Sequence, residues 1–169
     1  HSEQTYNISK QNSKKGKTPP PIPLITSSLQ QKASTVLRMS PKQTMRTAQT
    51  LYENGLITYM RTDSIAYSNV FVDQTKEYIT EHYGEKYVTN KSVFMQSKSG
   101  NKKTQDAHEA IRVTNIEKNT EDISLDNQCK RLYKMIHNHT IQSLMSDYEY
   151  ETTKYYIKHN FENKKYNYE

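Results

Sequence analysis

Three things are scarce in this sequence: cysteine, hydrophobic residues and long apolar runs. Cys129 is the only cysteine in 169 residues, which excludes an internal disulfide and a cysteine metal cluster and indicates a reducing compartment. No apolar run approaches the roughly 18 residues of a membrane span, so we expect no membrane partner. Hydrophobic residues make up only 33 % of the chain, which is low for a self-sufficient globule. We therefore expect part of the chain to be a tail or to pack against segments outside it.

Basic residues outnumber acidic ones. The formal net charge is +6, from 24 Lys and Arg against 18 Asp and Glu, and the isoelectric point is about 9.2. An excess of positive charge favours a polyanionic partner such as a nucleic acid. The same charge is compatible with solubility alone, so the partner has to be identified from motifs.

The middle of the chain is predicted to be helical. Apolar residues at helical spacing predict a first helix over 26–38, capped by Thr26 or Ser27. Ser40 opens a second helix through a capping box, and Gly55 ends it at the C′ position. Two helices joined by a tight turn indicate a helix-turn-helix. The same spacing predicts two further helices, over 68–83 and 124–145.

Both ends of the chain are predicted to be extended. Residues 1–25 are polar and basic and then proline-rich, which indicates a flexible segment with one short strand over 5–8. Alternating aromatic residues predict a strand over 148–157, with 161–168 as its antiparallel return. We therefore divide the chain into a flexible basic and proline-rich segment over 1–25, a helical domain over 26–146 and a β-hairpin over 147–169.

The most informative segment is Gly55–Ser64, which lies between two predicted helices and reads Gly-Leu-Ile-Thr-Tyr-Met-Arg-Thr-Asp-Ser. Alternate side chains of an extended segment point to the same face, so Tyr59, Arg61 and Asp63 are predicted to project together. A phenol beside a guanidinium suits attack on a phosphodiester, with Tyr59 as the nucleophile and Arg61 binding the phosphate. The alternatives are a core tyrosine with a satisfied hydroxyl and a surface arginine or one paired with Asp63.

Other ordered blocks surround this segment. Thr26–Ser34 and Thr44–Glu53 lie upstream, and Ala107–Arg112, which reads Ala-His-Glu-Ala-Ile-Arg, lies downstream. Together with Gly55–Ser64, these blocks resemble the signature motifs of the type IA DNA topoisomerases in order and spacing. Met60, which follows the tyrosine, resembles the residue at this position in the bacterial topoisomerase I branch of the family. The chain departs from the family at Val113, where proline is usual, which changes loop stiffness and no chemical group.

The resemblance spans about residues 26–141 and implies a fold. The expected fold class is mainly α: a compact helical domain with a helix-turn-helix core of winged-helix or CAP-like type. Short β-strand stubs of a neighbouring hinge domain are expected at both ends. The resemblance thus implies a central fragment of a longer enzyme, which is consistent with the low hydrophobic content because the stubs have lost most of their sheet.

The resemblance also implies a reaction. Tyr59 attacks a phosphodiester of single-stranded DNA, forms a 5′-phosphotyrosine link and releases a 3′-hydroxyl; reversal restores the strand, and strand passage relaxes negative supercoils. Arg61 stabilises the phenolate and the charge on the phosphoryl oxygens. His108 is implied to lie near the site and contact DNA phosphate, and the alternative is a structural histidine.

Further residues are expected to bind DNA or support the site: Thr58, Thr62, Asp63, Ser64 and Arg112. The hydroxyl groups can donate to phosphate or fix the loop. The aspartate is expected to orient the arginine or hold the DNA end, since a carboxylate repels phosphate. Arg112 can touch DNA or pair with Glu109 at i, i+3 on a short helical turn that also carries His108.

An Asp-x-Asp motif of the kind that holds Mg²⁺ in the family's nucleotidyl-transfer domain does not occur in this sequence. The resemblance therefore implies that Mg²⁺ serves the parent enzyme from a domain outside this chain, that this chain has no metal site, and that it is inactive alone. Expected partners are single-stranded DNA and the remaining domains of the same polypeptide. We expect a monomer located inside the cell with DNA. The lysine-rich loop 98–103 is either a DNA-steering element or a solvated loop.

Other classes of protein share some of these features. A non-catalytic helix-turn-helix DNA-binding module would suit the charge, but the second helix offers only Lys42 and Arg46 to DNA. Tyrosine recombinases and type IB topoisomerases place an arginine and a His-x-x-Arg block before a C-terminal tyrosine. Here Tyr59 precedes His108, and the block is His-x-x-x-Arg. A non-catalytic structural domain is disfavoured because Tyr59 and Arg61 are intact.

Overall fold

The computed structural model describes residues 6–10, 13–89 and 108–159, which fall into two compact units. One unit is Pro20–Ser146, and the other joins the described residues before Pro20 with those after Ser146. The first unit is helical and the second consists of short antiparallel strands. The prediction of a mainly helical fold with short strands near both ends is therefore confirmed.

The helices of the first unit begin within three residues of their predicted starts. They are α1 (Thr26–Leu37), α2 (Pro41–Glu53), α3 (Asn69–Tyr83) and α4 (Asn127–Ser143). Single turns of 3-10 helix occur at Glu85–Tyr87 and Thr120–Asp122. Across the described ranges, every helix is too short or too polar to cross a bilayer.

Local capping explains where α2 and α4 start. The Ser40 hydroxyl accepts the Gln43 N–H at 3.2 Å, and the Gln43 side chain accepts the Ser40 N–H at 3.1 Å, so the predicted capping box is present. Helix α4 starts later than predicted because the carboxylate of Asp126 caps it, accepting the Cys129 N–H at 2.7 Å.

The end of α2 determines where the segment that carries Tyr59, Gly55–Ser64 (hereafter the tyrosine segment), begins. Gly55 has φ 67°, a left-handed conformation that glycine adopts without steric cost. Its N–H donates to the Tyr52 carbonyl at 2.8 Å, and the Leu56 N–H donates to the Leu51 carbonyl at 2.9 Å. This pair of bonds is a Schellman motif, so Gly55 occupies C′ as predicted.

The start of α1 differs from the prediction. Ile25, and not Thr26 or Ser27, occupies the N-cap. The Thr26 hydroxyl instead donates to the Met60 carbonyl at 2.9 Å and accepts the Thr62 N–H at 3.0 Å. The polar side chain was expected to serve its own helix, but it ties the start of α1 to the tyrosine segment.

A single apolar core lies between the helices. Helix α4 packs against α1 and α2, which also pack against each other. Cys129 is buried in this core, and burial raises the pKa of its thiol to about 11. The core is built from buried residues of all four helices, among them Leu29, Ala33, Ala48, Leu51, Phe71, Val72, Ile79, Leu132 and Ile136.

An extended segment, Ala110–Thr114, joins two other parts of the first unit. It forms antiparallel bridges from Ile111 to Leu24 and from Val113 to Ile57. The predicted helical turn carrying His108 is therefore wrong for the described residues 108–113, because their backbone groups are used in these bridges. This pairing brings the second sequence signature beside the first.

The second unit pairs strands from near the two ends of the chain. Strand β1 (Tyr6–Lys10) is antiparallel to β4 (Tyr155–His159), and β2 (Lys14–Thr18) is antiparallel to β3 (Tyr148–Thr152). The sequence predicted a flexible segment where β2 forms. It also predicted that the strand over 148–157 would pair with 161–168, which lies outside the described residues.

Candidate active site

Tyr59 lies in the extended segment between α2 and α3 and is half-buried. Its ring packs edge-on against the ring of Tyr52, with centroids 5.3 Å apart and an interplanar angle of 64°. It also packs against the imidazole of His108, with centroids 5.4 Å apart and an angle of 43°. Two residues distant in sequence, Tyr59 and His108, are therefore neighbours in the fold.

The next residues alternate between core and solvent. Met60 and Thr62 are buried, whereas Arg61 and Asp63 are exposed. Within the described ranges, Arg61 forms no ion pair, with Asp63 or with any other residue. The guanidinium is thus available to an incoming anion.

Arg61 and Asp63 line an open cleft of about 430 Å³. The cleft lies at the N-terminal end of α1, where the helix dipole favours negative charge. His108 lines it as well, whereas Tyr59 does not; the ring of Tyr59 packs against the imidazole of His108. The full lining is Ile25, Thr26, Ser27, Gln30, Arg61, Thr62, Asp63 and His108.

Thr58 connects the two signature segments. Its hydroxyl donates to the Ala110 carbonyl at 2.8 Å and accepts the Arg112 N–H at 2.9 Å. Its own N–H donates to the Arg112 carbonyl at 2.9 Å. These bonds use both hydrogen-bonding roles of the hydroxyl and hold the segment of His108 next to that of Tyr59.

The other two hydroxyls expected at the site bond to the loop itself. The buried Thr62 side chain accepts the Ser64 N–H at 3.0 Å, and the Ser64 hydroxyl accepts the Ala66 N–H at 3.3 Å. Such side-chain bonds to the next-but-one N–H stabilise a turn. Both residues shape the path of the chain after Arg61.

Arg112 is engaged inside the protein. Its guanidinium pairs with Glu109, with Nε and Nη2 each 2.5 Å from Oε2. It also donates to the Val113 carbonyl at 3.0 Å and lies 3.8 Å from the centre of the Phe71 ring. The side chain is only 12 % exposed, so these contacts fix its position between α3 and the His108 segment.

Two other tyrosines of this unit, Tyr67 and Tyr133, have the surroundings expected of core tyrosines. Burial raises the pKa of Tyr67 to about 12, and its hydroxyl bonds to that of Ser143 at 3.0 Å. Burial likewise raises the pKa of Tyr133 to about 12, and its hydroxyl donates to the Lys118 carbonyl at 2.9 Å. Tyr59 differs because, among the described residues, its hydroxyl has no such partner.

Two contributions to the site were not identified from the sequence. Tyr52 touches Tyr59 from the last turn of α2, and no local pattern relates two aromatic residues separated by a helix end. Ser27 and Gln30 line the cleft from α1. Both residues belong to the upstream block Thr26–Ser34. That block contributed to the family resemblance, but the resemblance assigned no role to its side chains.

Comparison with known proteins relates the chain to one family. A sequence model of a family described as DNA topoisomerase matches residues 1–169. The DNA topoisomerase 1 of Vibrio cholerae is 39 % identical over 154 residues, covering 90 % of this chain and 17 % of that protein. That of Campylobacter jejuni is 38 % identical over 165 residues, covering 92 % of this chain and 23 % of that protein.

A solved structure agrees with the sequence relatives. The full-length topoisomerase I of Thermotoga maritima aligns with a TM-score of 0.70 and 34 % identity, covering 92 % of this chain and 26 % of that one. The chain therefore spans no more than about a quarter of the length of the proteins it resembles.

Proposed function

The chain belongs to the DNA topoisomerase family, and we propose that it is the part of a type IA topoisomerase that carries the nucleophilic tyrosine, Tyr59. The whole protein would cleave and rejoin one DNA strand and relax negative supercoils by passing a strand through the break. The observation that carries the proposal is the contact of Tyr59 with His108 beside a cleft that exposes Arg61.

The chemistry is a transesterification. The Tyr59 oxygen forms a bond to phosphorus as the bond from phosphorus to the 3′-oxygen breaks, giving a 5′-phosphotyrosine and a free 3′-hydroxyl. The phenol proton is lost and the leaving oxygen gains one. Because one phosphodiester is exchanged for another, the bond energy is kept in the phosphotyrosine link, and the reverse step needs no ATP. A free tyrosine has a pKa of about 10 and is a weak nucleophile at neutral pH, so nearby positive charge is required.

Arg61 supplies that charge in our proposal. Its exposed guanidinium can bind two phosphoryl oxygens at once and stabilise the charge that develops during attack. His108 contacts the same phosphate or its neighbour from the other signature segment. Asp63 orients Arg61 or the DNA end, while Thr58, Thr62, Ser64 and Arg112 act by shaping the site.

We propose that α1 and α2 form a helix-turn-helix core of winged-helix type, and that this core positions the segment Gly55–Ser64, which carries Tyr59. The helices are joined by only three residues, Arg38–Ser40, and an extended segment follows α2 directly. The strands of the second unit would be parts of a neighbouring hinge domain. Single-stranded DNA and the remaining domains of the same polypeptide are the proposed partners, in a monomer inside the cell.

The family resemblance also implies Mg²⁺ in the whole enzyme. Within the described ranges, no three His, Cys, Asp or Glu side chains lie close enough together to hold a metal ion. The residues described here do not fit such a site, and we place magnesium binding in a domain outside this chain.

The test uses the full-length protein that contains this chain. It is incubated with single-stranded oligonucleotide labelled at the 5′ or the 3′ end, quenched with denaturant, and compared with Tyr59→Phe. We expect a covalent adduct that retains the 3′ label and disappears in Tyr59→Phe. An adduct that retains the 5′ label would indicate type IB-like chemistry. No adduct with either label, despite DNA binding, would favour a non-catalytic helix-turn-helix module.

A further inference from the structure

Tyr52 makes the one ring contact to Tyr59 that comes from a helix of the described structure. The ring centroids are 5.3 Å apart at 64°, within the edge-to-face range in which aromatic pairs attract each other. The ring of Tyr59 turns about two side-chain bonds and is half-buried. A neighbouring ring therefore restricts the direction in which its hydroxyl points.

The backbone between Tyr52 and Tyr59 is held in one conformation, which maintains this ring contact. The Gly55 N–H and the Leu56 N–H donate to the carbonyls of Tyr52 and Leu51, which lie in the last turn of α2. The turn that follows the helix is thereby locked by two hydrogen bonds and a left-handed glycine. Tyr52 and the segment of Tyr59 consequently keep a fixed separation.

Tyr52 is not a core residue. Its side chain is 41 % exposed, whereas Leu51 beside it is fully buried. Replacing Tyr52 leaves no closed cavity, so its removal should cost little global stability. Its packing is directed at Tyr59, which suggests a role in the site rather than in the fold.

We propose that Tyr52 is a positioning residue that holds the ring of Tyr59 in the orientation required for attack on the phosphodiester. This rests on the proposed function of Tyr59. Tyr52 acts through the Tyr59 ring, and its own hydroxyl takes no part in the reaction. Since misplacement of a reacting atom by about 1 Å can reduce a rate substantially, the loss of one ring contact should be measurable.

The experiment measures adduct formation by the full-length protein with 3′-labelled oligonucleotide under single-turnover conditions. The variants are Tyr52→Leu, Tyr52→Met and Tyr52→Phe, and the matched control is Tyr83→Leu, a tyrosine 49 % exposed at the end of α3. We expect Tyr52→Leu and Tyr52→Met to slow cleavage by about 2-fold to 10-fold. Losing one aromatic pair should lower the population of the reactive Tyr59 orientation by that factor. Phe retains the ring and should retain the rate.

Two further readouts separate positioning from other roles. Oligonucleotide Kd and Tm should stay within the range of Tyr83→Leu. Wild-type cleavage by Tyr52→Leu and Tyr52→Met would overturn the proposal. So would a rate loss matched by an equal loss of DNA affinity, which would mean that Tyr52 binds DNA, or a Phe variant as slow as Leu. If Tyr59→Phe still forms the adduct, the proposed function itself fails, whatever the Tyr52 variants do.

Discussion

Thr58 and Arg112 are joined through their main chains and through the threonine hydroxyl. The Thr58 N–H donates to the Arg112 carbonyl at 2.9 Å, and the Arg112 N–H donates to the Thr58 hydroxyl at 2.9 Å. Because Tyr59 follows Thr58 and His108 lies four residues before Arg112, this link determines how the tyrosine meets the histidine.

Thr58→Val keeps the shape of the side chain but removes the hydroxyl. We expect the free energy of unfolding to fall by about 1–3 kcal/mol, because the Arg112 N–H and the buried Ala110 carbonyl lose a partner. Denaturant unfolding measures the change, and Thr58→Ser, which keeps the hydroxyl, is the control. Equal stability of the Val and wild-type proteins would show that these bonds do not hold the segments together.

Arg61→Ala should affect cleavage and not folding. The side chain is exposed, so we expect stability to change by less than about 0.5 kcal/mol. Loss of a group that stabilises transition-state charge should slow adduct formation by about 10²–10³-fold, and Arg61→Lys should be intermediate because it keeps the charge without the planar fork.

The control for Arg61 is Arg46→Ala on the exposed surface of α2, which should leave the cleavage rate unchanged. If Arg46→Ala weakened oligonucleotide binding while Arg61→Ala had no effect on it or on cleavage, DNA would be bound by α2. That result would favour the non-catalytic binding module.

Arg112→Lys should be destabilising although it keeps the charge. An ammonium cannot donate to Glu109 and the Val113 carbonyl in the same plane while lying flat on Phe71. We expect a loss of about 1–3 kcal/mol, measured by denaturant unfolding, against less than about 0.5 kcal/mol for the exposed control Arg46→Lys. An unchanged stability of Arg112→Lys, together with a weaker salt dependence of oligonucleotide binding in the charge-removing variant Arg112→Ala, would instead place Arg112 on DNA.

His139 should make stability depend on pH. It is buried, its Nε2 bonds to the Ile22 carbonyl at 2.8 Å, and Lys32 Nζ lies 2.6 Å from its Nδ1. Burial lowers its pKa from 6.5; the Ile22 bond opposes that shift, and the Lys32 charge adds to it. The unfolded chain therefore binds more protons between this lowered pKa and 6.5, and stability is lost as pH falls through that window.

The pH effect is measured as the free energy of unfolding from pH 7 downward. His139→Gln removes the titrating group and should flatten the slope, while the exposed control His82→Gln should retain it. A slope identical in wild type and His139→Gln would show that other groups cause the acid sensitivity.

Local signals account for what the sequence predicted well. The capping box at Ser40 and the C′ glycine at 55 involve residues within a few positions of each other, so their hydrogen bonds form wherever the helix lies. Predictions failed where a residue forms its hydrogen bonds with a segment distant in sequence. Thr26 was expected to cap its own helix but bonds to Met60 and Thr62. A short helical turn was expected at His108, but Ile111 and Val113 pair with Leu24 and Ile57.

The sequence by itself determined the helical domain, the family and the candidate nucleophile, because these follow from periodicity, helix-end signals and ordered motifs. Only the tertiary structure decided that Tyr59 meets Tyr52 and His108, that Arg61 is exposed on a cleft, and that Arg112 is enclosed by Glu109 and Phe71. The physical reason is that these contacts join segments whose proximity depends on packing around one shared core. No spacing along the chain encodes that packing.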